Sequence, residues 1–191
     1  METLINDGQY NIAHICTRQQ CGAGRADKIA IRWISPTFER TDYSYQSLEK
    51  ASNRVANLLD NLGICPGERV FTFLPKSPEL IFIFLGILKI QANAGIMFSS
   101  FGEDALLDRL GDSGACLLFT RKSYLRKIRS IWPQLPELKK VIVIDLPQDE
   151  SNTILSYSKL LSQAGIQYPA RNEDRSYFPA IYYPLTIIAY P

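Results

Sequence analysis

The chain has 191 residues, of which 46% are hydrophobic and 21% are charged, and its formal net charge is +2. This composition is ordinary for a folded globular domain and excludes a chain dominated by disorder. The small net charge gives no electrostatic reason to expect nucleic acid or an anionic membrane as a partner, so we expect neither.

The first residues do not have the pattern of a secretory signal, because acidic residues come early and no continuous apolar core follows. The longest apolar stretch, 80–90, is far shorter than the roughly 20 residues that cross a bilayer. Four irregularly spaced cysteines favour reduced thiols over a disulfide framework. We therefore predict a cytoplasmic protein with no membrane segment.

His14, Cys16 and Cys21 lie close together in the sequence and are conceivable zinc ligands. A structural zinc site needs four ligands, usually in two tight pairs, and His14 is the single histidine of the chain. Local packing is the favoured alternative, and we predict no metal site.

Secondary structure is predicted to begin with a helix over 10–20 and a glycine-broken connection. Strands at 28–34 and 39–43, separated by a turn at 35–37, are typical of a hairpin. A helix follows, with Ser44 as its N-cap and Gly63 as its stop. One face of this helix is apolar, and the polar residues on its other faces are predicted to be solvated: Ser47, Asn53, Arg54 and Asn57.

The next part of the chain alternates between strand and helix. Strands are predicted at 70–74, 95–98, 117–120 and 141–144, and helices at 78–90, 103–113 and 124–132, with a further helix at 156–164 and an apolar, strand-like run at 178–191. The strands are short and continuously apolar, as expected when helices cover both faces of a parallel sheet. The sequence therefore predicts an α/β fold with a mostly parallel sheet.

A candidate binding loop follows the second of these strands, in the segment MFSSFGEDALLDRL. Ligands of open parallel sheets gather at the carboxyl ends of strands, and Ser99, Ser100 and Gly102 are small enough to allow close approach there. The favoured alternative, from the pattern alone, is that Gly102 marks a helix entry where Glu103 and Asp104 complement the dipole.

The densest basic cluster of the chain is TRKSYLRKIR. Arg126 and Arg129 are three residues apart, so on a helix they share a face and could hold a phosphate together. The alternative is a solvated helix face. The sequence has no G-x-x-x-x-G-K-[ST] or G-x-G-x-x-G loop and one histidine, so no catalytic centre is evident.

Several segments in a fixed order carry a resemblance to a known family, among them NIAHIC, KIAIRW, YSYQSLEK, LPKSPEL and MFSSFGEDALLDRL. Together they resemble the N-terminal region of adenylate-forming enzymes, specifically acetyl-CoA synthetase and related acyl-CoA synthetases. The resemblance runs from about Tyr10 to Tyr183 and corresponds to roughly the first third of such an enzyme. It implies an AMP-forming acyl-CoA ligase that uses ATP, coenzyme A and Mg²⁺.

The resemblance also implies a partial coenzyme A site. In acetyl-CoA synthetases the loop that matches Phe98, Ser99, Ser100, Phe101 and Gly102 lies by the coenzyme A nucleotide. A pair of arginines that matches Arg126 and Arg129 contacts its 3′-phosphate. The family often has glycines where Ser99 and Ser100 stand, and it implies neither a catalytic nor a metal-binding residue within this chain.

The family phosphate loop, close to YTSGTTGKPKG, should follow the strand 181–183, where this chain has PLTIIAYP and no glycine. Only glycine combines close backbone approach to phosphate with free choice of φ. We therefore expect an extension at 1–27 with a short helix, then a partial adenylation domain at 28–191, truncated at the phosphate loop and inactive alone. The exposed sheet edge is expected to self-associate or to dock a missing remainder. The alternative is a non-catalytic module that binds the coenzyme A nucleotide or a partner.

Overall fold

The computed structural model describes residues 11–169 and the backbone of residues 180–182. The segment PLTIIAYP and most of the strand predicted at 178–191 lie outside the described residues. Within the described part of the chain, no helix is long and apolar enough to span a bilayer.

The predicted N-terminal helix is broken in two at Thr17. Helix α1 spans Ile12–Cys16 and helix α2 spans Arg18–Gln20, since Thr17 leaves helical geometry with φ −125° and ψ −82°. An irregular helical turn, Cys21–Arg25, follows and contains a left-handed glycine, as the predicted glycine break requires. Asn11 caps α1 and donates its side-chain amide to the Leu88 carbonyl at 2.8 Å. This bond holds the N-terminal segment against a later helix.

The predicted hairpin and the helix after it are both present. Strand β1 (Ile29–Ile34) pairs antiparallel with strand β2 (Arg40–Ser44). The helix α3 (Tyr45–Asn61) begins where the Ser44 side chain accepts a hydrogen bond from the Ser47 backbone N–H. Its end lies next to Gly63, whose φ of +78° is the left-handed conformation that favours glycine.

The remaining described strands form one parallel sheet. They are β3 (Arg69–Phe73), β4 (Asn93–Met97), β5 (Leu117–Thr120), β6 (Lys140–Val143), β7 (Ile154–Ser156) and β8 (Ala180–Tyr182). Their order across the sheet is β7-β6-β5-β3-β4-β8, and each neighbouring pair is parallel. The predicted α/β class with a parallel sheet is confirmed.

In the described part of the chain α3 is joined at the sheet by four later helices, α4 (Pro78–Lys89), α5 (Glu103–Ser113), α6 (Leu125–Ile131) and α7 (Tyr157–Ser162). Strand residues alternate between the two faces, so that Val70 joins one hydrophobic core and Phe71 joins the other. The first core packs against α3, α4 and α7, and the second packs against α5 and α6. Helices therefore cover both faces of the sheet, as the apolar strands predict.

Candidate functional site

The order of the strands brings three loops together at the carboxyl ends of the strands, and this side of the sheet is the switch-point edge. From the central strand β3 the chain passes through α4 to β4 on one side, and then through α5 to β5 on the other side. This reversal is a topological switch point, and ligands of open α/β sheets bind beyond the carboxyl ends of the strands there. The loops that follow β3, β4 and β5 meet at this edge, including the predicted loop at 98–102.

That loop is organised around the ring of Phe101, which is buried. The Phe101 backbone N–H donates to the Phe98 carbonyl at 3.0 Å, and the two rings meet edge to face with centroids 5.6 Å apart. The Arg109 guanidinium of α5 lies 4.4 Å from the centre of the Phe101 ring. Between the two aromatic anchors, Ser99 is half-buried and Ser100 is exposed. The contacts of Phe98 and Phe101 therefore hold the backbone of the loop that carries Ser99 and Ser100.

Gly102 is the N-cap of α5, with a φ of −76° that any residue can adopt. A Cβ built on Gly102 would meet nothing within 4 Å, so this position is open to an approaching group. Glu103 and Asp104 occupy the first turn, where their carboxylates complement the helix dipole. The helix-entry interpretation thus describes the geometry of Gly102, and the adjacent acidic residues oppose the binding of an anion directly to the α5 terminus.

Both predicted arginines lie on α6 and are exposed. Arg126 has no hydrogen-bond or ion-pair partner among the described residues. Arg129 forms an ion pair with Glu150, in the turn that follows β6. Leu125 and Ile128 are buried and fix the helix on the sheet, so the arginines extend from a rigid support.

Lys127 joins the predicted loop to the predicted basic helix. Its Nζ donates to the Phe101 carbonyl at 3.0 Å and lies 5.9 Å from the centre of the Phe73 ring. Successive helix residues are rotated by about 100°, so Lys127 faces the loop while Arg126 and Arg129 lie on other sides of α6. The sequence placed Lys127 inside the basic cluster, but nothing in the spacing distinguished it from its neighbours.

A carboxylate connects the loops after β5 and β6 at the same edge. Asp145 accepts a hydrogen bond from the Lys122 backbone N–H at 2.6 Å, and it forms an ion pair with Arg121 at 3.4 Å. This bridge holds the start of the basic segment in place.

A second polar cluster lies beneath α3, where Lys89 is fully buried. Its Nζ donates to Glu49 Oε2 and to Asn53 Oδ1, both at 2.7 Å. The predicted exposure of Asn53 is wrong, because the buried ammonium of Lys89 requires acceptors and Asn53 supplies one. Asn57 is half-buried and donates to the carbonyls of Gly165 and Gln167.

Glu49 and Asn53 also line a cavity of about 700 Å³, together with Arg18, Cys21, Gln46, Lys50 and the segment 166–169. Burial lowers the pKa of Lys89, and the bond to Glu49 opposes that shift. Burial acts to raise the pKa of Glu49, but the Lys89 ammonium and the hydrogen bonds from Thr17 and Asn53 together outweigh it and leave this pKa below its ordinary value. The charge of the cluster is thus balanced internally.

His14 lies close to this cluster and is buried, and neither ring nitrogen has a hydrogen-bond partner. Burial and the positive charge of Lys89 lower the pKa of His14 to about 4. The thiols of Cys16 and Cys21 are free. Over residues 11–169 and 180–182, no group of three or more His, Cys, Asp or Glu side chains is placed to hold a metal ion.

The fold and the switch-point edge define a class of α/β protein whose ligands bind across the carboxyl ends of a parallel sheet. Residues 18–179 match the family model described as AMP-binding enzyme. The chain belongs to this family of AMP-binding enzymes, and within it to the acetyl- and acyl-CoA synthetase group that its sequence resembles.

Curated relatives and solved structures agree with this assignment. An acetyl-coenzyme A synthetase of Bacillus subtilis is 33% identical over 157 residues, covering 82% of this chain and 27% of the relative. A 3-hydroxypropionyl-coenzyme A synthetase of Sulfurisphaera tokodaii is 29% identical over 178 residues, which cover 91% of this chain and 26% of the relative. The crystal structure of a Brucella canis acyl-CoA synthetase superposes with a TM-score of 0.80 at 26% identity, covering 92% of this chain and 31% of that one. The chain thus spans about a quarter to a third of the length of these proteins.

Proposed function

We propose that this chain is the part of an AMP-forming acyl-CoA ligase that holds the coenzyme A nucleotide, and that it forms no acyl-adenylate by itself. The complete family reaction, as the resemblance implies, joins a carboxylate to the α-phosphate of ATP with Mg²⁺ present. The coenzyme A thiol then displaces AMP to give a thioester. The names of the relatives suggest a short carboxylate such as acetate or 3-hydroxypropionate. A cytoplasmic location stays a prediction.

The observation that carries the proposal is the hydrogen bond from Lys127 to the Phe101 carbonyl. This bond connects the loop 98–102 to α6, the helix that bears Arg126 and Arg129. A nucleotide that lies along this edge can then contact the exposed backbone around Gly102 while a guanidinium holds its phosphate. The exposed, unpartnered Arg126 is suited to that role.

Calorimetric titration with coenzyme A tests the binding part of the proposal. An Arg126→Ala, Arg129→Ala double variant should bind at least about tenfold more weakly than the parent, because each guanidinium supplies charge-assisted hydrogen bonds to phosphate. A double variant Arg54→Ala, Lys139→Ala loses the same charge from exposed positions on α3 and before β6, and it should bind like the parent. Equal heats in parent and arginine variant, or no heat in either, would overturn the proposal.

Pyrophosphate exchange tests the catalytic part. The 191 residues contain one histidine and no glycine in the segment 184–191, where the family phosphate loop is expected. We therefore expect the protein to show no acetate-dependent exchange of pyrophosphate into ATP above a blank without protein. The appearance of acyl-adenylate with acetate or 3-hydroxypropionate would contradict this expectation.

The second candidate function is a binding module with no ligase partner. It is supported by the same hydrogen bond, since Lys127 joins the loop 98–102 to α6 without any residue from elsewhere in the chain. Coenzyme A binding without any gain of adenylation upon addition of other ligase segments would favour it.

A further inference from the structure

The two arginines of α6 stand in different electrostatic environments. Arg126 has no partner among the described residues, whereas Arg129 donates to a carboxylate oxygen of Glu150. The Arg129 side chain is 54% exposed and that of Glu150 is 34% exposed. An incoming phosphate therefore meets one available guanidinium and one that already has an anionic partner.

The backbone of Glu150 is held in place, so this partner is not a freely moving side chain on a loose loop. The Glu150 N–H donates to the Ile154 carbonyl at 3.0 Å, at the start of β7. The adjacent Asp149 accepts from the Ser156 N–H at 2.7 Å. Two hydrogen bonds to β7 thus fix the turn that carries Glu150 beside the carboxyl end of α6.

We propose that Glu150 competes with ligand phosphate for Arg129 and thereby sets how strongly the site prefers coenzyme A over dephospho-coenzyme A. This inference rests on the proposed function, because it concerns the same site. A phosphate must displace the Glu150 carboxylate before it can use both guanidinium forks, whereas a ligand without the 3′-phosphate leaves the ion pair intact. The carboxylate also repels a phosphate that binds at Arg126 alone.

The size of the effect follows from the exposure of the pair. Exposed ion pairs are weak, and salt screens them. Replacing Glu150 by glutamine should therefore tighten coenzyme A binding by roughly twofold to fivefold at low salt, and by less at high salt. Binding of dephospho-coenzyme A should change less than coenzyme A binding does.

The experiment is a calorimetric titration of each ligand into five proteins: the parent, Glu150→Gln, Glu137→Gln, Arg129→Gln and the double variant Glu150→Gln, Arg129→Gln. Glu137 is an exposed glutamate before β6 with no partner among the described residues, so Glu137→Gln matches the change in net charge. Only Glu150→Gln should raise the ratio of coenzyme A affinity to dephospho-coenzyme A affinity. The double variant Glu150→Gln, Arg129→Gln should have the same affinity ratio as Arg129→Gln alone, because without the Arg129 guanidinium the Glu150 carboxylate has no ion pair that a phosphate must displace.

The titrations distinguish a failure of the role of Glu150 from a failure of the proposed function. If the parent binds coenzyme A through the arginine pair but Glu150→Gln and Glu137→Gln shift the affinity ratio equally, the proposed function stands and the role of Glu150 is overturned. If the parent does not bind coenzyme A, both proposals are overturned. A circular dichroism spectrum and an unchanged unfolding midpoint for Glu150→Gln show that any gain comes from the site.

Discussion

Lys89 carries a positive charge into the interior of the molecule, where Glu49 and Asn53 receive it. Loss of one partner from a buried pair leaves an uncompensated charge and typically costs several kcal/mol. The cluster therefore restrains which residues of α3 can face α4. The sequence could not reveal this, because Asn53 lies off the apolar face of α3, and the contact depends on a residue 36 positions later.

The neighbouring His14 predicts a specific dependence of stability on pH. Its pKa is lowered to about 4 in the folded chain, mainly by burial, whereas the unfolded value is close to 6.5. Between these values the unfolded chain binds more protons, so the free energy of unfolding should fall as the pH drops from about 6.5 towards 4, by at most roughly 3 kcal/mol.

The measurement is direct, since His14 is the single histidine. Its ring resonances in a proton NMR titration should have a midpoint near pH 4. Urea unfolding near pH 7 and near pH 5 should show a loss of stability in the parent that is smaller in His14→Phe. A midpoint near 6.5, with equal pH dependence in both proteins, would show that the ring is not held in a buried, neutral state.

At the scale of elements, α3 and α4 approach each other so closely that a glycine is required between them. A Cβ built on Gly86 would lie 2.4 Å from the Val55 Cβ and 3.1 Å from the Ser52 carbonyl oxygen. Both neighbours belong to the body of α3, so neither can move aside cheaply. Gly111 in α5 is different, because its added Cβ meets only the Leu135 side chain at 3.8 Å, an ordinary contact.

These two helical glycines predict opposite outcomes for the same substitution. Gly86→Ala should lower the free energy of unfolding by about 1–2 kcal/mol, since the cost of overpacking exceeds the gain in helix propensity. Gly111→Ala should raise it by up to about 1 kcal/mol. Chemical denaturation of the parent and the two variants measures both effects. Stabilisation by Gly86→Ala would mean that the helices lie further apart than described.

The sequence predicted most elements but not all of their limits. Apolar periodicity located α3 to α6 and β3 to β6, because these elements each present a continuous buried face. Strand β7 (Ile154–Ser156) was missed, since three residues after a polar turn carry too little pattern. The break at Thr17 was missed because the pattern of 10–20 gives no sign of the non-helical φ of −125° and ψ of −82° at that residue.

At the scale of the whole molecule, the strand order is what the sequence could not supply. The rule that ligands bind at carboxyl ends located the loop 98–102, and the resemblance added Arg126 and Arg129. The contacts of Lys127 with Phe101 and of Arg129 with Glu150 depend on β4 and β6 lying on opposite sides of β5 and β3, which only the sheet order shows. The assignment of coenzyme A to these residues stays a prediction, as does association through an exposed sheet edge.

The order of the sheet also has a consequence for how the chain is made. After β3, strands β4 to β7 emerge in sequence and each can pair with a strand already present, whereas β8, the last of the described strands, adds beside β4. The backbone N–H and C=O groups on the outer edge of β4 therefore lack strand partners while β5, β6 and β7 are synthesised. During that interval the outer edge of β4 is open to a wrong partner, and pairing with Ala180–Tyr182 closes it.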